Sequence, residues 1–156
     1  MIEFNLKGIS ITATVEMERY DFRDKGGHYK TRFNRNTLVK ADFWGFVVDN
    51  DLTELATVKS TLNYFMQAYW KRSSKASSKI ELATALKHDY GVQQQSLYLV
   101  ARQKNSIHSL EISLIENGKT ANNIYLSGQE VIMLDIAIGK AINLLTPTYQ
   151  LMEGHV

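Results

Sequence analysis

The sequence predicts an α+β protein made of two successive ββββα repeats. The first observation is that one helix-start pattern occurs twice, 76 residues apart, as Asp51-Leu-Thr-Glu54 and Ser127-Gly-Gln-Glu130. In each copy the first side chain can cap free backbone N–H groups, and the glutamate three residues later can reach back to the cap. The second observation is that about fifty residues that read mostly as strand precede each copy. A strand-rich segment that leads into one helix, and then recurs, indicates an internal duplication.

Both predicted helices carry one apolar face, because apolar side chains recur at spacings of three and four after each start pattern. The first set is Leu55, Val58, Leu62, Phe65 and Tyr69, and the second is Val131, Leu134, Ile138, Ala141 and Leu145. We therefore predict helices over about 52–70 and 128–145. Pro147, the single proline of the chain, is expected to end the second helix.

Period-two alternation and turn residues predict the strands of both halves. The first half has a strand over 9–19, a Gly26-Gly27 hairpin turn, a return strand from about His28, a turn at Asn34-Arg-Asn36 and a strand region over 38–48 with a bulge or bend at Gly45. The second half has strands over 80–87, 96–102, 107–116 and 123–126, with Asn117-Gly118 as a hairpin turn. We expect a single domain, 1–156, built of repeats 1–72 and 79–145, a linker over 73–78 and a tail over 146–156.

Charge is unevenly distributed although the net charge is only +2. Residues 19–40 carry seven lysines and arginines against two aspartates, and residues 71–90 carry five against two acidic residues. The segments that contain the helices, 41–70 and 105–156, are each net negative. Positive charge on the strand side suggests a polyanionic partner. The alternative is a basic hairpin whose charges only keep it in water.

The residues do not assemble a recognisable catalytic or metal-binding motif. The chain has no cysteine, and His28, His88, His108 and His155 lack metal-ligand spacing. Gly118-Lys119-Thr120 resembles the end of a phosphate-binding loop, but Ser113 stands where that motif needs its first glycine. Asp49-Asn-Asp51 lacks the central glycine and terminal glutamate of a calcium loop. We expect a protein that is not an enzyme and uses no cofactor or metal.

The N-terminal residues show no basic segment followed by an apolar run, and no stretch is long and apolar enough for a membrane-spanning helix. We therefore expect no signal peptide and no membrane contact. Together with the absence of cysteine, this predicts a cytoplasmic protein.

Cations and aromatic residues alternate along the predicted hairpin at 19–35. Cations neutralise phosphates and flat rings stack on unpaired bases, so this composition is typical of single-stranded nucleic-acid binding. The candidate phosphate contacts are Arg19, Arg23, Lys30, Arg32, Arg35, Lys79, Lys87 and Arg102, and the candidate stacking platforms are Tyr20, Phe22 and Tyr98. Under the alternative, Tyr29 and Phe33 face the core and the cations form a hydrated outer side.

The segment from Ile124 to Leu134, a short strand that runs into a capped amphipathic helix, resembles the end of the repeat in the positive cofactor 4-like and Whirly group of single-stranded DNA-binding proteins. Whirly proteins carry two ββββα units per chain, and residues 2–145 are similar to that arrangement. The plant signature Lys-Gly-Lys-Ala-Ala-Leu is absent, so no binding residue is carried over. A bacterial or phage relative with diverged strands would have such a sequence.

The resemblance implies antiparallel sheets backed by helices, homo-oligomers (dimers or tetramers) joined through helical faces, and DNA bound across exposed sheets. We therefore predict a largely sequence-independent single-stranded DNA-binding protein that acts in DNA replication or recombination. Two alternatives remain open: a protein–protein interaction module without nucleic-acid binding, and an RNA-binding protein.

Overall fold

A computed structural model describes residues 1–70, 82–104 and 107–153. The elements in chain order are β1 (Ile2–Leu6), β2 (Ile9–Arg23), β3 (Tyr29–Phe43), β4 (Phe46–Asp49), α1 (Leu52–Trp70), β5 (Leu82–Asp89), β6 (Gln94–Lys104), β7 (Ile107–Glu116), β8 (Lys119–Leu126) and α2 (Gly128–Glu153). The strands form two antiparallel four-stranded sheets with the orders β1-β2-β3-β4 and β5-β6-β7-β8. The predicted α+β architecture of two ββββα repeats is confirmed. The predicted linker, 73–78, lies outside the described residues.

The predicted helix starts are confirmed by their hydrogen bonds. The Glu54 backbone N–H donates to Asp51 Oδ1 over 3.0 Å. At the second start, the Glu130 N–H donates to Ser127 Oγ and the Ser127 N–H donates to Glu130 Oε1, which completes a reciprocal capping box. Helix α1 has the predicted bounds, Leu52–Trp70.

The predicted end of the second helix is wrong, because α2 continues through Pro147 to Glu153. A proline inside a helix removes one backbone bond, here the bond to the Asn143 carbonyl. In the same turn the Thr146 hydroxyl donates to the Ile142 carbonyl oxygen over 2.6 Å. One missing bond does not stop the helix here, so 146–153 is helical rather than a tail.

Two details of the first sheet differ from the prediction, and the first is strand β1, which was not predicted. The bulge or bend predicted at Gly45 is a bend, the tight turn between β3 and β4, where Gly45 has φ +99°. The predicted turn at 34–36 is wrong, because β3 passes through it in unbroken register with β2. Asn34 and Asn36 pair with Glu18 and Glu16 across the ladder. Cross-strand pairing therefore overrides the local turn preference of asparagine.

The two repeats are interlocked by their helices. Helix α2 lies against β1, β2 and β3 of the first sheet, α1 lies against β5 and β6 of the second, and the helices pack on each other. One buried cluster draws on both sheets and both helices, with Phe43, Phe65, Leu99 and Leu134 among its members. Each helix thus covers the sheet of the other repeat. Neither helix of the described chain is long and apolar enough to cross a membrane.

Polar contacts between the repeats follow the same crossed pattern. Glu54, at the start of α1, accepts a hydrogen bond from His88 Nε2 at the end of β5 over 2.9 Å. Glu130, at the start of α2, pairs with Lys7 at the end of β1 over 3.1 Å. Lys59 and Asp135, which are 76 residues apart, pair over 2.8 Å between the helices. Glu54 and Glu130, in the first turns of the two helices, therefore also bind each helix to the other repeat.

Candidate nucleic-acid interface

The most prominent feature outside the core is a two-stranded arm, residues 14–38, formed by the distal parts of β2 and β3. Strand β1 pairs with β2 only as far as Ala13, and β4 pairs only with residues 40–43 of β3. The β2–β3 ladder continues without them for ten further pairs, from Thr14↔Leu38 to Arg23↔Tyr29. At ~3.3 Å per residue the arm is ~33 Å long.

In the described part of the second repeat, residues 82–104 and 107–153, there is no arm of this length. Its equivalent hairpin, β6–β7, extends only three pairs beyond Ala101, to Lys104↔Ile107. The arm is therefore the main asymmetry between the repeats, and it coincides with the basic segment of the sequence.

Both faces of the arm are open to solvent beyond its root, where Thr37 is buried. Odd-numbered residues continue the face on which Ala13 and Val39 are buried, and we call this the inner face. Even-numbered residues form the outer face. From Met17 to Arg23 and from Tyr29 to Asn34 every residue is exposed on either face. Helix cover therefore ends near the root of the arm.

Toward its tip, the arm sets aromatic rings directly opposite cations. Four of the last five cross-strand pairs have this composition, the exception being Asp21↔Thr31. The four pairs are Arg19↔Phe33, Tyr20↔Arg32, Phe22↔Lys30 and Arg23↔Tyr29. Successive cross-strand pairs point to opposite faces of the arm. The inner face and the outer face therefore each receive two rings and two cations from these four pairs.

Two of the cations lie over rings. The Arg32 guanidinium carbon is 5.6 Å from the Phe22 ring centroid, and that of Arg23 is 5.1 Å from the Tyr29 centroid. Such cation–π contacts are worth about 0.5–1 kcal/mol at exposed sites. They orient the rings without burying them, since Phe22 remains 39% exposed and Tyr29 78% exposed.

Acidic side chains on the arm are held by neighbours. Asp21 accepts from Arg19 Nε over 3.3 Å and from the Thr31 hydroxyl over 2.8 Å. The Tyr20 hydroxyl donates to Glu18 over 2.7 Å, and this hydrogen bond, with the negative charge of Glu18, raises the pKa of Tyr20. These are exposed contacts, and exposed ion pairs contribute little to stability. An arginine of the arm can therefore leave such a carboxylate and bind a phosphate at a small cost in free energy.

The structure brings together the predicted residues of the arm but divides them between its faces. Arg19, Arg23 and Arg35 are on the inner face, and Tyr20, Phe22, Lys30 and Arg32 are on the outer face. Lys30 also pairs with Asp24 at the tip over 3.4 Å. Arg35 is half-buried opposite Met17, and its buried Nε has no hydrogen-bond partner among the residues that the structure describes.

The predicted residues of the second repeat lie on the other sheet and do not join the arm. Lys87 is exposed and Tyr98 is half-buried, both on the face opposite the buried Leu86 and Leu97. The backbone of Arg102 lies in β6, but its side chain is not among those described. Lys79 lies outside the described residues.

Tyr29 and Phe33 are the residues that sequence reasoning missed. Alternation placed them on the core side, and they do have that register, but they are 78% and 62% exposed because no helix covers them. A signal was present in the sequence. Their cross-strand partners, Arg23 and Arg19, are charged, and a buried face rarely holds two arginines.

A groove runs along α1 and does not suggest catalysis. Its volume is about 800 Å³ and its lining, which includes Ala56, Ser60, Thr61 and Tyr64, contains no charged side chain. Among the residues that the structure describes, no group of three histidine, aspartate or glutamate side chains could hold a metal ion.

Comparisons with known proteins find a likeness only among solved structures. No family model matches the sequence, and no curated protein matches it. WHY1 from Arabidopsis thaliana is similar over 98% of this chain and 90% of that chain, with 13% identity and a TM-score of 0.41. The plant transcriptional regulator PBF-2 is similar over 98% of this chain and 95% of that chain, with 14% identity and a TM-score of 0.38. The architecture described above rests on the strand pairing and helix packing of this chain itself.

Proposed function

We propose that the protein binds single-stranded DNA, largely independently of sequence, through the arm. The observation that carries this proposal is the run of four cation–aromatic pairs on an uncovered ribbon. Cations neutralise the phosphates, and the rings stack on bases that are free of a partner strand.

The spacing of the rings favours an extended single strand. Tyr20 and Phe22 lie on one face two residues apart, a separation of ~6.6 Å along the strand. Successive phosphates of one strand in duplex DNA advance by ~3.4 Å along the axis. Bases that stack on both rings must therefore be unstacked from each other, and duplex DNA cannot present them in this way.

The chemistry of the arm favours affinity over base readout. Stacking on an aromatic ring is worth about 1–3 kcal/mol per base and accepts every base, since each has a π-face. Arm cations that contact phosphates carry no sequence information. The arm contains six cationic side chains, which are Arg19, Arg23, Lys25, Lys30, Arg32 and Arg35.

The biological setting is part of the same proposal. A cofactor-free protein that coats or presents unpaired DNA suits replication or recombination, in the cytoplasm of a bacterium or of a phage-infected cell. We further propose a homo-oligomer, a dimer or tetramer, joined through helical faces. Exposed Met133 and Ile136 on α2, and Tyr64 on α1, support that arrangement.

RNA and protein partners remain the competing candidates. RNA would use the same rings and cations, and only a contact to the 2′-hydroxyl would distinguish it from DNA. A protein partner is favoured by the exposed aliphatic side chains Val15 and Met17 beside the arm cations.

A charge-reversal experiment separates these candidates. Arg23→Glu with Arg32→Glu reverses one charge on each face of the arm and should abolish binding of a labelled single-stranded oligonucleotide at low salt, while Lys119→Glu with Lys140→Glu makes the same change of net charge away from the arm. Fluorescence anisotropy with single-stranded DNA, duplex DNA and RNA of one sequence gives the preference. If wild-type protein fails to bind any single strand at low salt, the proposal is wrong. Equal loss in the two variants would assign the binding to net charge rather than to the arm.

A further inference from the structure

We propose that the arm carries two separate single-strand sites, one on each face, so that one protomer holds two strands at once. This inference rests on the proposed function and extends it from binding a strand to bridging two strands. It starts from the duplicated composition of the arm. The inner face carries Arg19, Arg23, Tyr29 and Phe33, and the outer face carries Tyr20, Phe22, Lys30 and Arg32.

Neither face has another role in the fold. A sheet that binds a ligand on one face normally covers the other with helices, as the core of this protein does around Ile11 and Ala41. On the arm, no helix of the described residues covers either side. The inner rings, Tyr29 and Phe33, are more exposed than the outer rings, Tyr20 and Phe22, which are 47% and 39% exposed. The inner face is therefore at least as accessible as the outer one.

The two sites can be filled together without strong repulsion. Strands on opposite faces would be separated by roughly the ~10 Å spacing of packed sheets. The Debye length is ~10 Å at 0.1 M salt, so the repulsion between the phosphates of the two strands is partly screened. The arm cations also lie between the two strands. The inner face has one more cation, the half-buried Arg35.

One short strand cannot occupy both sites. The ribbon backbone separates the faces along the whole arm, and a strand could reach from one to the other only around an edge or the tip. An oligonucleotide of about five nucleotides, near the lower end of known site sizes, spans only the rings of one face. The two-site arrangement therefore predicts two such oligonucleotides per protomer.

Neighbouring pairs of the ladder provide matched variants. Arg19→Thr with Phe33→Thr removes one ring and one cation from the inner face, and Tyr20→Thr with Arg32→Thr removes the same groups from the outer face. Threonine keeps the strand preference. The altered residues are exposed and lie outside the core, so both variants should unfold at the wild-type denaturant concentration, which circular dichroism checks.

The experiment counts thymidine oligonucleotides per protomer by native mass spectrometry. It also measures energy transfer between two non-complementary oligonucleotides, one labelled with a donor and the other with an acceptor. Wild type should bind two per protomer and show transfer. Each double variant should bind one per protomer, keep the affinity of the remaining site within about threefold, and lose the transfer. The variant with all four substitutions should bind none.

Three results would overturn the two-site arrangement. One oligonucleotide per wild-type protomer would do so. The arrangement would also be overturned if the substitutions on one face abolished all binding and those on the other face changed nothing. Energy transfer that persists at one oligonucleotide per protomer would place the bridging between protomers of an oligomer instead. Failure of the proposed function gives a different result, since wild type would then bind no oligonucleotide.

Discussion

Removal of residues 17–35, the outer part of the arm, should weaken binding of single-stranded DNA without preventing folding. Glu16 and Asn36 are directly paired across the ladder, so residues 17–35 can be replaced by Asn-Gly, the two-residue turn that closes such hairpins. The removed stretch is described throughout and contains no buried residue. Its exposed position predicts a change in unfolding free energy of less than about 1 kcal/mol.

The binding loss can be worked out from the same residues. Each face loses two rings, which at about 1 kcal/mol of stacking per ring is at least ~2 kcal/mol per strand, or roughly 30-fold in Kd. The six arm cations are lost as well, and each phosphate contact contributes about −0.7 to the slope of log K against log salt. For a strand on the inner face, where Arg19, Arg23 and Arg35 lie, the slope should therefore become shallower by up to about 2.

The assays are chemical denaturation for stability and fluorescence anisotropy with a labelled single-stranded oligonucleotide at several salt concentrations. A truncated protein that folds normally and binds within threefold of wild type would refute the assignment of the site to the arm. A truncated protein that no longer folds would refute the conclusion that the arm lies outside the core.

The remaining predictions concern stability. Hydrogen bonding from the Ser127 backbone and from Lys7 lowers the pKa of Glu130, so its contribution is present above the ordinary carboxyl pKa and is lost as pH falls through the lowered value. Urea unfolding at neutral and acid pH should show a smaller acid loss for Glu130→Gln, and equal losses would contradict this. Asp51→Ala removes an N-cap and should cost about 1 kcal/mol by the same assay; no change would show that the cap is dispensable. Leu134→Ala empties part of the shared core and should cost about 2–5 kcal/mol in one transition. Two separate transitions would contradict the interlocking of the repeats.

Local signals in the sequence were sufficient for the helices. The cap residues Asp51 and Ser127 and the apolar stripes act within a few residues of each other, and α1 has its predicted bounds. Pro147 is also a local signal, but one lost hydrogen bond is a small term in a helix of 26 residues. The error at the end of α2 came from treating that term as decisive.

Non-local pairing explains most of what the sequence could not provide. The turn predicted at Asn34-Arg-Asn36 is absent because β2 supplies a partner at every position. Alternation identified the face of Phe33 and Tyr29 but not their exposure, which depends on where α2 and the short strands β1 and β4 end. The charged partners Arg19 and Arg23 show that such cases can be recognised once the register is known.

The most direct test of single-strand binding by the arm is the salt dependence of wild-type affinity for single-stranded and duplex DNA of one sequence. For the single strand, the arm predicts a slope of log K against log salt that reaches about −2 when the three cations of the inner face contact phosphate. Duplex DNA should bind at least about tenfold more weakly, because it cannot stack on the rings. Equal affinity for the two forms, or an affinity for the single strand that does not change with salt, would contradict this account.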